Sequence, residues 1–281
     1  MIPAPFDYEV AESVDHAITL LGEREDAKLL AGGHSLLPAM KLRLARPAVL
    51  VDVGRLTDLS YVRDDDGHIA IGAMTRHKDV ASAALLREHC PIVSHTAGKV
   101  GDPQVRHRGT IGGSLAHGDP ASDLPTVILA LDAELVVRGT GGERTVPASA
   151  FFTGVFQTAV ALEEMLVEVR VPKLGETTGW SYTKMRRRAQ DWATVAVAAV
   201  VDRSNGSIGK ASIALTNMGA TPLRAAAAEA AIAAGGSIGD ASALASEGTE
   251  PSSDLAASAE FRGHLARVLT KRALEEAAAR T

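Results

Sequence analysis

The sequence predicts an α+β chain of three successive units, and three patterns carry that reading. A β-α-β-α-β run occupies the first 53 residues, with two glycines directly after a buried strand. Two hairpin-like stretches follow, around residues 61–72 and 135–146. Last come three strand-like segments and an alanine-rich helical tail, for which a sheet covered by helices is the simplest packing.

In order, Ser13 stands as an N-cap before Val14, Ala17, Ile18 and Leu21, which share one helical face. Residues 27–31 read as a strand. Residues 36–44 read as a helix with Lys41 and Arg43 near its C-terminal end, where cations suit the dipole. Pro47 stops that helix, and Val49-Leu50-Val51-Asp52-Val53 follows as a buried strand. This order makes a small, largely parallel unit with Gly32-Gly33 at a strand's carboxyl end, where α/β ligands bind. Residues 61–72 form a hairpin around Asp66-Gly67, Thr75 caps a short helix, and residues 92–105 form a longer one. After a second glycine turn, residues 135–138 and 144–146 pair as a hairpin, and residues 166–171 alternate as a strand that Pro172 ends. Beyond Lys173, residues 180–185, 193–201 and 207–216 read as strands, the last two joined through Asn205-Gly206. Two helices follow, separated by a polar interlude over residues 235–253, and the last carries Leu265, Val268, Leu269 and Ala273 on one face.

With 281 residues and 46% hydrophobic content, the chain can fill a sizeable core. A net charge of −5 argues against nucleic acid as the main partner. Cys90 is the single cysteine, which excludes an internal disulfide and any four-thiolate iron–sulfur cluster held by this chain alone. No apolar run reaches the length of a membrane span, and the first residues lack a basic stretch leading into an apolar one, so a soluble cytoplasmic protein is expected.

The chemistry concentrates at the glycines. Ala31-Gly32-Gly33-His34-Ser35-Leu36 ends a strand and opens a helix, and Gly109-Thr110-Ile111-Gly112-Gly113-Ser114 is a second stretch of similar kind, with paired glycines beside hydroxyl residues. One such turn is often only a turn; two, each beside a hydroxyl residue, suit a ligand with two phosphates. Neither G-x-G-x-x-G nor G-x-x-x-x-G-K-[ST] occurs. Gly33-His34-Ser35-Leu36-Leu37 departs from the hydrolase elbow G-x-S-x-G at Leu37, where a small residue is required. The nine histidines include no H-x-x-x-H pair, so no metal site is expected. Asp119 and Asp123 read either as a turn and a helix cap or as acceptors for a ribose or ribityl hydroxyl. Arg186-Arg187-Arg188 sits where a hairpin reverses, and Trp192 after it is either a core residue or a flat face for a planar ring.

These stretches, with Gln104-Val105-Arg106 before the second glycine turn and Gly118-Asp119-Pro120-Ala121-Ser122-Asp123-Leu124-Pro125 after it, resemble the FAD-binding subunits of the molybdenum hydroxylases. Within this xanthine dehydrogenase family the resemblance points to the medium-subunit branch of aerobic carbon monoxide dehydrogenases. It implies a two-subdomain FAD domain of the vanillyl-alcohol oxidase type (residues 1–57 and 58–176), then a C-terminal domain (177–281) of a three-stranded antiparallel sheet with helices. Carried over, Ala31, Gly32, Gly33, His34, Ser35 and Leu36 would hold the FAD pyrophosphate from one side, and Thr110, Gly112, Gly113 and Ser114 from the other. Asp123 matches an aspartate near the cofactor, Leu166 a main-chain contact to the flavin edge, and Lys184 a lysine beside the ring. Trp192 stands where carbon monoxide dehydrogenases carry a tyrosine, keeping an aromatic face but losing the phenol hydroxyl; His117 stands where an asparagine is familiar. No residue is expected to be a catalytic acid or base or a metal ligand.

The resemblance further implies a large molybdopterin subunit that oxidises the substrate and a small subunit with two [2Fe–2S] clusters. This chain would pass their electrons to a quinone or other acceptor, in a dimer of heterotrimers with Arg187 and Arg188 as docking residues. The complex is expected in the cytoplasm, including at the inner face of the membrane. Carbon monoxide leads as substrate, with purines and other N-heterocycles as the alternative. A stand-alone flavin oxidase would carry the same two glycine loops.

Overall fold

The computed structural model describes residues 1–204 and 207–280. Its first unit runs β1 (Asp7–Val10), α1 (Val14–Glu23), β2 (Ala27–Leu30), α2 (Leu36–Lys41) and β3 (Val49–Asp52). The strands pair in parallel in the order β1-β3-β2. Central β3 is flanked on both edges, and its Val49, Leu50 and Val51 are buried, as their unbroken apolar run requires. Ser13 caps α1 by accepting from the His16 amide at 3.0 Å. Helix α2 ends at Lys41 rather than near residue 44, because Arg43 turns left-handed at φ +61° and cannot continue a right-handed helix.

The second unit opens with the hairpin β4 (Val62–Asp65) and β5 (His68–Gly72), turning at Asp66-Gly67 with Gly67 at φ +92°. Helices α3 (His77–Ser82), α4 (Ala84–His89), α5 (Pro91–Ala97), α6 (Pro103–Arg108), α7 (Ile111–His117) and α8 (Asp123–Ala130) follow. Thr75 does not cap α3; its hydroxyl accepts from the Tyr61 amide and donates to the Tyr61 carbonyl, tying the two sides of the hairpin base. The single helix expected over 92–105 is two. Gly101 takes φ +48°, and Pro103 begins α6 afresh, capped by Asp102 accepting from the Val105 amide at 2.9 Å.

Strands β6 (Glu134–Gly139) and β7 (Gly142–Pro147), helix α9 (Ala148–Phe151), the small hairpin β8 (Phe152–Gly154) and β9 (Gln157–Thr158), and β10 (Met165–Pro172) complete the unit. The antiparallel sheet runs β4-β5-β10-β6-β7. Strand β10 is buried on both faces: Leu166, Val169 and Val171 join the core under the helices, whereas Met165 and Val167 join the core shared with the first sheet. A bulge between Leu166 and Glu168 interrupts its pairing with β6. The buried Glu168 carboxylate is satisfied by the Tyr61 hydroxyl, Arg63 and Arg170.

The third unit corrects the expected three-stranded sheet. It has four strands, β11 (Thr178–Met185), β12 (Val195–Ser204), β13 (Ser207–Thr216) and β14 (Leu223–Arg224), antiparallel in that order. Two-residue β14 is too short for any periodicity to show. The expected turn Asn205-Gly206 lies outside the described residues. Helices α10 (Ala226–Ala233), α11 (Ile238–Ala243) and α12 (Ala259–Ala278) cover the sheet. The polar interlude thus contains a helix, α11, capped by Ser237 accepting from the Asp240 amide. Thr126 of α8 meets Thr216 of β13 at 2.6 Å between hydroxyls, joining the second unit to the third. Among the described residues no helix is long and apolar enough to cross a membrane, and no cluster of three metal-ligating side chains occurs.

Candidate functional site

The two glycine stretches, 77 residues apart from Gly32 to Gly109 in sequence, lie directly against each other. A Cβ on Gly32 would fall 2.3 Å from the Arg108 carbonyl oxygen and 2.7 Å from the Gly109 Cα, and one on Gly113 would lie 3.7 Å from the Ala31 Cβ. Only a residue without a side chain fits at position 32. Gly33 is needed for a different reason, its φ of +76°.

The two loops are not equivalent. Among the described residues, the amides of Gly32, Gly33, His34 and Ser35 find no partner within the chain. The second loop spends its amides internally: Ile111 donates to the Thr75 carbonyl at 3.0 Å, Gly112 to Ala73 at 2.9 Å, and Ser114 to Thr110 at 3.1 Å. Gly113 donates to the Thr110 hydroxyl, which caps α7. Gly112 is small because Ala73 packs on it, with an added Cβ only 2.5 Å from the Ala73 Cβ. The first loop therefore offers donors, and the second is a braced wall that presents half-buried Ser114 beside them. Buried His77 supports that wall from behind, with its amide on the Gly109 carbonyl and its ring against Gly109. Burial pushes its imidazole down to about 4.

Asp123 and Lys184 come together as a buried ion pair of 2.8 Å. Asp123 begins α8, and Lys184 lies on β11. The other carboxylate oxygen accepts from the Tyr182 hydroxyl at 2.5 Å. Burial raises the Asp123 carboxyl, with Lys184 and Tyr182 pulling the other way, and drives the Tyr182 phenol far above its ordinary range. Sequence reading overlooked Tyr182, although residues two apart in a strand share a face, so Tyr182 and Lys184 necessarily point together. Asp119 makes the anticipated turn, accepting from the Ala121 amide at 2.8 Å.

The remaining candidates sit in different settings. Leu166 is buried in the core that α7 and β10 share. Trp192 is 60% exposed on the loop between β11 and β12, so it is not a core residue. Arg187 and Arg188 are exposed on the same loop, with Arg188 3.4 Å from Asp191. Cys90 is fully buried, which pushes its thiol up to about 12.

Residues 4–174 match the family described as the FAD binding domain in molybdopterin dehydrogenase, and residues 180–277 match the CO dehydrogenase flavoprotein C-terminal domain. The carbon monoxide dehydrogenase medium chain of Hydrogenophaga pseudoflava is 41% identical over 285 residues, covering 100% of this chain and 99% of the relative. The 6-hydroxypseudooxynicotine dehydrogenase complex subunit alpha of Paenarthrobacter nicotinovorans is 38% identical, covering 99% and 96%. A solved structure of carbon monoxide dehydrogenase from Hydrogenophaga pseudoflava superposes with a TM-score of 0.96 at 44% identity, covering 100% of this chain and 99% of that one. Apposed glycine loops whose closest point, at Gly32, tolerates no side chain, free amides on one of them, and matches across both parts of the chain agree. This chain belongs to the FAD-binding, electron-transferring subunits of the molybdenum hydroxylases, in the branch that contains the carbon monoxide dehydrogenase medium chains.

Proposed function

We propose that this chain is the flavin subunit of a carbon monoxide-oxidising molybdenum enzyme, carrying FAD between the two glycine loops. The observation behind the reading is their contact at Gly32 and Arg108, with four unpaired amides from Gly32 to Ser35 on one side. Such amides suit the pyrophosphate oxygens, which need donors but no bulk. Thr110, Gly112, Gly113 and Ser114 form the opposite wall, with the Ser114 hydroxyl available to an anion, and Ala31 and Leu36 frame the donor loop. Lys184 supplies a positive charge at the flavin edge, oriented by Asp123. Leu166 contributes main chain beside the ring, and Trp192 an aromatic face. FAD, when bound, supplies a centre that accepts electrons singly and releases one or two. This chain's residues bind and orient it, and none acts as acid or base.

With one cysteine, the chain holds no cluster of its own and depends on partners for electrons. We assign these as a large molybdopterin subunit and a small [2Fe–2S] subunit in a dimer of heterotrimers, with a quinone or other acceptor downstream. Arg187 and Arg188 are exposed, Arg188 beside Asp191, and we assign them to docking a partner. The three-part division at 57/58 and 176/177 belongs to the same reading, since each large sheet lies within one part. So does the cytoplasmic setting of the complex.

An N-heterocycle hydroxylase is the second reading. It is favoured by the 38% identity to the 6-hydroxypseudooxynicotine dehydrogenase complex subunit alpha, little below the 41% to the carbon monoxide dehydrogenase chain. Purification of the native complex decides. The expected result is a three-subunit yellow-brown enzyme that reduces a quinone or dye with carbon monoxide and not with purines or pyridines. Turnover with a heterocycle alone would transfer the assignment, and substrate oxidation by this chain without partners would make it a flavin oxidase.

A further inference from the structure

We infer that Asn217 and Arg262 form a clamp that fixes the position of Trp192 relative to the glycine loops, making both positioning residues for the flavin. The inference rests on the reading above that Trp192 faces the bound ring.

The loop carrying Trp192 is closed twice. At its base the Thr194 amide donates to the Met185 carbonyl at 2.8 Å. At its tip the Asp191 amide donates to the Arg188 carbonyl at 3.1 Å, and the Arg188 amide to the Asp191 carboxylate at 3.1 Å. Trp192 stands between these closures, and the two carbonyls that follow it are held from outside the loop. Asn217 Nδ2 donates to the Ala193 carbonyl at 2.9 Å and to the Thr194 carbonyl at 3.3 Å. Arg262, reaching in from α12, donates to the same Thr194 carbonyl.

Both side chains are costly choices for scaffolding alone. Arg262 is only 1% exposed, and a guanidinium that deep must have its donors matched. It meets this by also donating to the Ser252 carbonyl at 3.0 Å and to the half-exposed Asp254 carboxylate at 2.7 Å. An apolar side chain would fill such a place at less cost but could grip no carbonyl. Asn217 occupies the left-handed region at φ +62°, which asparagine tolerates better than most residues. Its amide donates at 2.9 Å to the carbonyl of Pro120, in the turn between α7 and Asp123. One residue therefore binds the segment that follows the second glycine loop and the segment that follows Trp192.

A tryptophan left 60% exposed on so constrained a frame is a preorganised surface rather than a loose one. Fixing the backbone that carries the indole beforehand lowers the ordering cost when a planar ring stacks on it.

The test uses the full chain with Trp180→Phe, which leaves Trp192 as the one indole, since the sequence has two tryptophans. Two readouts are taken: anisotropy decay of Trp192 before FAD is added, and quenching of Trp192 with FAD affinity during titration. Asn217→Asp keeps the backbone tolerance but turns a donor toward two carbonyls into an acceptor; Arg262→Lys keeps charge and reach, and Arg262→Met keeps neither. The expected result is faster Trp192 motion in Asn217→Asp and Arg262→Met without FAD, weaker quenching, and about three- to tenfold lower FAD affinity. Trp192→Ala should lower affinity equally, with no further loss when combined with Asn217→Asp, and Arg262→Lys should recover part of the effect. If the folded Asn217→Asp and Arg262→Met chains both keep parental Trp192 motion and quenching, the clamp is refuted. If motion increases in the variants but FAD never quenches Trp192 in the parent, the placement of Trp192 at the flavin fails instead, and the functional role of the clamp falls with it.

Discussion

The carbonyl oxygen of Arg108 lies 2.3 Å from where a Cβ on Gly32 would be, so the main chains of the two glycine loops touch with no space for a methyl group. Neither neighbour is the flexible end of a side chain, and the clash has no cheap relief. Gly32→Ala should therefore separate the loops, reducing FAD retained by the purified chain by at least about tenfold. Gly141→Ala, where an added Cβ meets nothing within 4 Å, should leave it unchanged. Flavin absorbance per mole of chain reads both, and parental flavin content in Gly32→Ala would refute the cradle.

The buried Asp123–Lys184 pair predicts unequal costs for its two supports. Asp123→Asn leaves the ammonium of Lys184 buried beside a neutral amide and should lower unfolding stability by about 3 kcal/mol or more. Tyr182→Phe removes one hydrogen bond to the carboxylate and should cost about 1–3 kcal/mol. Urea denaturation of both variants checks the order; a larger loss in Tyr182→Phe would mean that the carboxylate is not held as an anion.

His77 gives the chain an acid-sensitive brace. Its folded-state value lies near 4, below the ordinary 6.5, so the unfolded chain takes up the proton first. Its contribution is present above about pH 6.5 and is lost as pH falls toward 4, amounting to about 3 kcal/mol. His77→Phe should flatten stability over that interval and leave FAD better retained at pH 5. An unchanged pH profile in the variant would show that the imidazole does not govern the acid limb.

Cys90 should be silent to a thiol reagent. Fully buried and pushed up to about 12, it carries almost no thiolate at neutral pH. One thiol per chain is expected to react after denaturation and none before; rapid labelling of the native chain would place Cys90 nearer the surface than it is here.

Much of this architecture was legible in the residues because short-range chemistry dictates it. Ser13 must cap something, Asp66-Gly67 must turn, and Val49-Leu50-Val51 must be covered on both faces. The errors arose where local signals compete. Ile92 to Val105 has helical periodicity, but Gly101 and Pro103 break it, and the cap from Asp102 then favours a fresh start. Strand β14 exists because β13 has an open edge, and nothing within Leu223-Arg224 announces it. At the candidate site the glycine motifs were plain, but their inequality was not. Which amides are already spent depends on the carbonyls of Ala73 and Thr75, more than 30 residues from the motif. Asn217 and Arg262 carry no motif at all, and only the folded chain brings them to Thr194.

Strand β10 has a consequence for how the molecule comes apart. Because Met165 and Val167 face one hydrophobic interior while Leu166 and Val169 face another, neither interior can be opened without stripping the other of its floor. The first 172 residues should melt in a single calorimetric transition, and a cut within this strand would dismantle both halves together.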